Sequence, residues 1–207
     1  MKNKHRRTLI KLVSLGILFP KLSFAMDKTF GESFYHKYEK KSVLIAYASE
    51  YGSTSEVAEM IGKTISKSGV RVDIKYIKHI TNIKEYDQII IGSPIQYDSW
   101  MDDAKNFLNT YEQELLKVRV SYFFTCLTLS QKSDKSKKQA QNYANNLEQL
   151  NPRIKPENIG QFAGVLDYSK FSFSFSIVAR AMFSILGVKE GDYRNWDVIR
   201  QWSNKLK

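Results

Sequence analysis

Residues 43–46, Val-Leu-Ile-Ala, form an apolar run without a polar interruption, the pattern of a strand buried on both faces. The chain then becomes small and polar at Ser49-Glu50-Tyr51-Gly52-Ser53-Thr54 before entering a helical period. Val57, Ile61 and Ile65 share one face of a helix predicted over 53–68, which Gly69 ends. Ser53 and Glu56 have the spacing of a capping box and place the helix start at Ser53. Val70, Val72, Ile74 and Tyr76 alternate, which predicts a strand over 70–77 with one buried face. Residues 85–92 end in Ile89-Ile90-Ile91-Gly92, apolar throughout and therefore a central strand.

The second half repeats the alternation. A helix is expected over 102–116 with Phe107, Leu108, Tyr111 and Leu115 inward, then a strand over 118–126. A polar, lysine-rich segment from Gln131 becomes helical to Leu150, and a short strand follows at 162–166. Residues 174–187 are apolar around most of a helical circumference, with Arg180 in the middle, so this helix packs on the sheet or lies against a membrane or partner. Phe171, Phe173 and Phe175 alternate like a strand, which leaves its start open. A closing helix is expected over 196–206 with Ile199, Trp202 and Leu206 inward. This order implies one α/β domain over 42–207, a five-stranded parallel sheet covered by helices on both faces. The link between the second and third strands shows no amphipathic helix.

A chain of 207 residues that is 43% hydrophobic has material for one substantial core. Its single cysteine, Cys126, excludes an internal disulfide, and three histidines offer too few ligands for zinc or iron–sulfur chemistry. Cys126 ends an apolar strand without a partner thiol, the setting of a packing residue. The formal charge of +11 is concentrated at the start. Lys2, Lys4, Arg6, Arg7, Lys11 and Lys21 fall in residues 1–25 with no acidic residue, leaving 26 basic against 21 acidic elsewhere. That remaining +5 is scattered and carries no aromatic-and-basic nucleic-acid motif, so nucleic acid is not an expected partner; an anionic substrate or membrane surface suits it better.

Residues 1–25 have the three-part layout of an export signal: a basic start, an apolar stretch from Leu9 to Phe19, and Ser23-Phe24-Ala25 as exit. His5-Arg6-Arg7-Thr8-Leu9-Ile10-Lys11 resembles the twin-arginine signal, with Leu9 where phenylalanine is favoured and His5 in place of serine or threonine. The resemblance implies passage through an export machinery that carries folded, cofactor-loaded proteins, and a periplasmic or membrane-associated destination. The alternative is an uncleaved anchor holding the domain at the cytoplasmic face. Residues 26–41 are polar and charged, a linker.

The turn at 49–54 is the first chemical feature. A strand, a hydroxyl-rich turn and a helix N-terminus in that order direct backbone N–H groups and hydroxyls at one anion, a phosphate cradle; an ordinary well-capped turn is the alternative. Its sequence resembles the phosphate loop of the flavodoxins, Ser/Thr-x-x-Gly-x-Ser/Thr, with Ser49, Gly52, Ser53 and Thr54 on the pattern and Tyr51 where many members have threonine. A second loop, Gly92-Ser93-Pro94-Ile95-Gln96-Tyr97, resembles the one that holds the flavin ring, with Asp98 where a glycine is usual. The resemblance implies a flavodoxin-like doubly wound sheet of strand order 2-1-3-4-5 with FMN at the switch point between the first and third strands. It implies that Ser49, Glu50, Tyr51, Gly52, Ser53 and Thr54 hold the phosphate. Ser93, Pro94, Ile95, Gln96 and Tyr97 would line the ring, with Tyr97 or Trp100 stacking on it. Thr125, Cys126 and Leu127, after the fourth strand, would close the other side.

Three further segments are similar to the menaquinone-dependent protoporphyrinogen dehydrogenase group. They are the basic insert at 130–147, the strand Ala163-Gly164-Val165-Leu166-Asp167-Tyr168, and Asp192, Arg194 and Trp196 after the apolar segment. That likeness implies an FMN-dependent oxidoreductase that passes electrons from a reduced substrate to a quinone or a redox protein, with 174–187 meeting a membrane. Lys132, Lys135, Lys137 and Lys138 would hold an anionic substrate or form a solvated helix face. Two other readings stand beside it: an electron carrier without a substrate of its own, and a flavin-free interaction protein on the same scaffold.

Overall fold

A computed structural model describes residues 41–207; the expected export signal and nearly all of the expected linker lie outside the described residues. The elements in order are β1 (Ser42–Tyr47), α1 (Ser53–Ser66), β2 (Arg71–Tyr76), β3 (Gln88–Gln96), β4 (Ser99–Trp100), α2 (Asp102–Thr110), α3 (Glu112–Leu115) and β5 (Arg119–Cys126). They continue with α4 (Asp134–Glu148), β6 (Ile159–Ala163), β7 (Val165–Leu166), α5 (Phe173–Ile185), β8 (Gly191–Asp192) and α6 (Trp196–Asn204).

Five strands pair in parallel in the order β2-β1-β3-β5-β6, the expected 2-1-3-4-5 once the two-residue β4 is set aside. The apolar run of β1 shows why the sheet is covered twice. Leu44 and Ala46 enter one core with Phe107, Leu108, Tyr143 and Leu147, while Val43 and Ile45 enter the other with Val57, Ile61, Ile65 and Ile199. Gly92 on β3 is required by packing, because a Cβ there would lie 2.0 Å from the buried ring of Phe123.

The structure corrects several expectations. β3 does not stop at Gly92 but runs to Gln96, so the expected loop at 92–100 is a strand and a tight hairpin onto β4. Tyr97 (φ 49°) and Asp98 (φ 61°) form its two-residue connection in the left-handed region, the backbone that suits hairpin twist. Tyr143 OH donates to Asp98 Oδ1 at 2.9 Å, which helps hold a non-glycine residue there. The predicted helix over 102–116 is two pieces, interrupted at Tyr111.

The fifth parallel strand begins at Ile159, three residues early, and ends at Ala163; Val165 and Leu166 leave the sheet to pair antiparallel with Asp192 and Gly191. This edge strand buries mainly Gly160 and Phe162, so it never shows the apolar run sought in the sequence. β2 buries its expected face only in part, leaving Ile74 exposed at the sheet edge. The link between β2 and β3 uses a short 3-10 turn at Ile77–His79 and sinks Ile77, Ile80 and Ile83 into the core. The phenylalanine alternation is not a strand: Phe173 and Phe175 belong to helix α5, while Phe171 follows a 3-10 turn at Tyr168–Lys170.

Candidate functional site

At the carboxyl ends of β1, β3 and β5 lies a cavity of about 700 Å³. Its position follows from topology: the chain leaves β1 for α1 on one face and leaves β3 toward α2 on the other, opening a crevice between the two loops.

The polar end is built by the turn after β1. Gly52 adopts φ 89°, a left-handed conformation that costs glycine nothing, and its N–H donates to Ser49 Oγ at 3.1 Å. The expected capping box is absent. Gly52, not Ser53, is the N-cap, no side chain caps α1, and its first backbone bond is Glu56 N–H to the Gly52 carbonyl at 3.2 Å. The N–H groups of Ser53, Thr54 and Ser55 therefore have no acceptor among the described residues. Uncapped donors at a helix N-terminus, beside the hydroxyls of Ser49 and Ser53, suit an anion. Beneath them the buried hydroxyls of Thr54 and Thr125 hydrogen-bond at 2.8 Å and fix the turn to the end of β5.

A carboxylate at the same end would oppose an anion, and its charge is balanced. Arg194 Nη1 donates to Glu56 Oε2 at 2.8 Å and reaches the Ser53 carbonyl at 3.4 Å. Nε and Nη2 take both oxygens of Asp192, at 2.9 and 2.7 Å, and the guanidinium lies over Trp196. This side chain is only 7% exposed. Hydrogen bonding to Arg194 holds the Asp192 carboxyl below its ordinary range against the opposing effect of burial. Burial works against the Arg194 cation, but its bonds to Asp192 and Glu56 outweigh that and raise its pKa.

Of the residues singled out in the sequence, Ser49, Glu50, Tyr51, Ser53 and Thr54 line the cavity on one side. Pro94, Ile95, Gln96 and Tyr97 line the second, and Thr125, Cys126 and Leu127 the floor. Gln96 Nε2 donates to the Glu50 carboxylate and joins the first two walls. Two residues fall elsewhere. Gly52 shapes the turn without lining the cavity, and Ser93 is fully buried, accepting from Met101 N–H at 3.0 Å.

Trp100 cannot stack on a ligand, since it is buried against Tyr122 in the core; Tyr97 stands fully exposed at the rim. Cys126 is buried, and that burial pushes its thiol up to about 11, so it is a wall and not a nucleophile. Lys132, Lys135, Lys137 and Lys138 do not line the cavity; they lie at and along the exposed side of α4.

The missed wall comes from 164–194: Gly164, Val165, Asp167 and Lys170, then Phe171, Phe175, Met182 and Phe183, with Glu56 and Arg194 completing the rim. Leu166, Tyr168, Ala179 and Val188 give this region a small core of its own. The strand Ala163–Tyr168, the apolar segment 174–187 and the motif around Asp192, Arg194 and Trp196 were singled out in the sequence, but none of them as a wall of this cavity.

The model of the family described as "Flavodoxin domain" matches residues 44–191. The chain is 21% identical over 170 residues to protoporphyrinogen IX dehydrogenase (quinone) of Escherichia coli K12, covering 79% of this chain and 93% of that protein. It is 24% identical to the protein of the same name from Leishmania major, covering 78% and 72%. Among solved structures, Flavodoxin 1 from Bacillus cereus is similar at 17% identity and TM-score 0.46, over 70% of this chain and 97% of that one. A Lactobacillus acidophilus flavoprotein solved with FMN is similar at 18% identity and TM-score 0.43, over 59% and 93%.

Proposed function

Since the chain belongs to the flavodoxin-domain family, whose cofactor is FMN, we propose that it is an FMN-dependent oxidoreductase passing electrons from a reduced substrate to a quinone or another acceptor. The observation that carries the reading is the anion-ready end of the cavity: three N–H groups without an acceptor among the described residues and the hydroxyls of Ser49 and Ser53, with Glu56 neutralised by Arg194. The residues present fit a monophosphate there and a flat ring between the Tyr51 side and the Gln96–Tyr97 side. Bound FMN supplies hydride acceptance and electron delivery in one- or two-electron steps. The chain supplies placement. Ser49, Ser53 and Thr54 would orient the phosphate on the turn that Gly52 shapes, Pro94, Ile95 and Gln96 would set one edge of the ring, and Thr125 to Leu127 would close the floor and limit water.

The substrate is an organic hydride donor, and the similarity to protoporphyrinogen dehydrogenases makes a porphyrinogen the first to try. Residues 1–25 are proposed to direct export of the folded protein, on the sequence pattern alone; the N-terminal mass of protein recovered from the periplasm tests this. The outer side of α5, with Phe173, Ile177, Val178 and Ile185 exposed, is proposed to contact a membrane surface, which vesicle co-sedimentation tests.

The decisive experiment is the visible spectrum of the purified protein, acid release and identification of its nucleotide, then bleaching by protoporphyrinogen IX and recovery with menadione. Colourless protein that takes up no FMN refutes the reading. Yellow protein that no hydride donor bleaches reduces it to an electron carrier.

A further inference from the structure

The cavity wall formed by Pro94, Ile95, Gln96 and Tyr97 ends in a turn whose backbone does not suit its side chains. Tyr97 and Asp98 lie at φ 49° and 61°, the left-handed region that disfavours residues with a Cβ, and Tyr97 is fully exposed, with no packing to hold it. Behind the turn the hairpin is well fixed. Ile95 pairs with Trp100 and Gln96 with Ser99, Trp100 is buried against Tyr122, and Met101 N–H donates to Ser93 Oγ at 3.0 Å. At the turn itself the tie is a side chain from another element: the Tyr143 hydroxyl donates to Asp98 Oδ1 at 2.9 Å.

Tyr143 does not line the cavity. It stands on α4 with its ring buried edge-on to Phe124 at 6.2 Å, so its hydroxyl is presented from a fixed base. Thr128 Oγ1 lies 3.3 Å from the same hydroxyl. Since the Tyr143 proton goes to the Asp98 carboxylate, Thr128 is the donor in that second contact. Burial raises the Tyr143 phenol above its ordinary range, which keeps it protonated and a donor at neutral pH. One hydroxyl thus joins the turn at the end of the ring wall to Thr128, the neighbour of Leu127 on the cavity floor. A wall held from the side in this way has its shape before a ligand arrives.

We propose that Tyr143 is a positioning residue for this site: by binding Asp98 it holds the 97–98 turn in its left-handed form and presets the wall from Pro94 to Tyr97 against which a flavin ring would lie. Only the ring rests on the proposed function; the hold of Tyr143 on the turn needs no flavin.

The test reads two quantities on the full chain: hydrogen–deuterium exchange of the 97–101 segment without nucleotide, and FMN affinity by fluorescence quenching. The variants are Tyr143→Phe, Asp98→Gly and the two combined. Tyr111→Phe is the control, since it also loses a hydroxyl hydrogen bond, to the Ile80 carbonyl at 2.9 Å, and does not line the cavity. Tyr143→Phe is expected to speed exchange of the segment and to weaken FMN binding about fivefold, the scale of one hydrogen bond. Introduced into Asp98→Gly, where its partner is gone, the same change is expected to alter both quantities by less than about twofold. Tyr111→Phe is expected to leave both within about twofold of wild type. Wild-type exchange in Tyr143→Phe overturns the proposal, as does an effect of equal size in the Asp98→Gly background or in Tyr111→Phe. Faster exchange with unchanged FMN affinity overturns it too, because the turn would then not serve the site. Wild-type protein that takes up no FMN removes the proposed function, and exchange alone then decides whether Tyr143 holds the turn.

Discussion

Replacing Arg194 with methionine keeps the aliphatic length beside Trp196 but removes the guanidinium, and nucleotide binding is expected to weaken about tenfold. In the wild type one guanidinium satisfies both Asp192 oxygens, Glu56 and, more weakly, the Ser53 carbonyl. Without it, the Glu56 carboxylate stands uncompensated in the first turn of α1, at the end of the cavity suited to a dianion. A fully buried pair broken on one side costs about 3–5 kcal/mol. Here the carboxylates are 57% and 44% exposed, so water screens much of the effect and about 1–2 kcal/mol is the reasonable scale. One factor of ten corresponds to about 1.4 kcal/mol.

The assay is quenching of FMN fluorescence at low salt for wild type, Arg194→Met, Glu56→Gln and the double variant, with thermal midpoints measured in parallel. Glu56→Gln is expected to bind FMN at least as tightly as wild type, because it removes a negative charge from the anion end. The double variant is expected to recover most of the lost affinity. Wild-type affinity in Arg194→Met would refute the electrostatic argument. So would a double variant as weak as Arg194→Met, which would make the loss one of packing. The effect should also shrink as salt rises, since the carboxylates are partly solvated.

Gly92→Ala is expected to lower stability by about 1–3 kcal/mol or more, because its methyl group would sit 2.0 Å from the buried Phe123 ring; urea denaturation measures it. Cys126, with its thiol pushed up to about 11, is expected to react with a thiol reagent at pH 8 only as fast as the protein opens, and promptly in denaturant. The depressed Asp192 carboxyl contributes stability that is complete above the ordinary carboxylate pKa of about 3.9 and is lost as pH falls through its lower folded value. The gap in urea midpoint between wild type and Arg194→Met is therefore expected to be full at pH 6 and to narrow as pH falls below about 4.

How far the sequence could be read depended on what each element packs against. β1 and β5 are covered on both faces, so their apolar runs announced them, and the helix after Gly52 carried its own period. The turn at 49–54 was legible because its chemistry is local: a left-handed glycine and short hydroxyls within six residues. Even there the cap was misplaced by one residue, since Ser53 and Glu56 have capping-box spacing but the backbone puts Gly52 at the N-cap and Arg194 takes Glu56. The end of β3 was read as a loop because Gly-Ser-Pro looks like punctuation; β5 continues its ladder past Gly92 to Pro94 and keeps the segment extended.

The residues of 43–59 and the order of strands and helices determined the sheet, its topology and the polar end of the cavity, because those rest on periodicity and short-range turn chemistry. The opposite wall was decided by tertiary structure alone. Val165, Phe171, Phe175 and Met182 reach the cavity only because β7 leaves the sheet to pair with β8, and because Arg194 fastens that segment to the start of α1, 138 residues away from Glu56 in the chain. Contacts over such a separation leave no periodic trace in a single sequence, and an apolar helix reads the same whether it covers a core, a ligand or nothing at all.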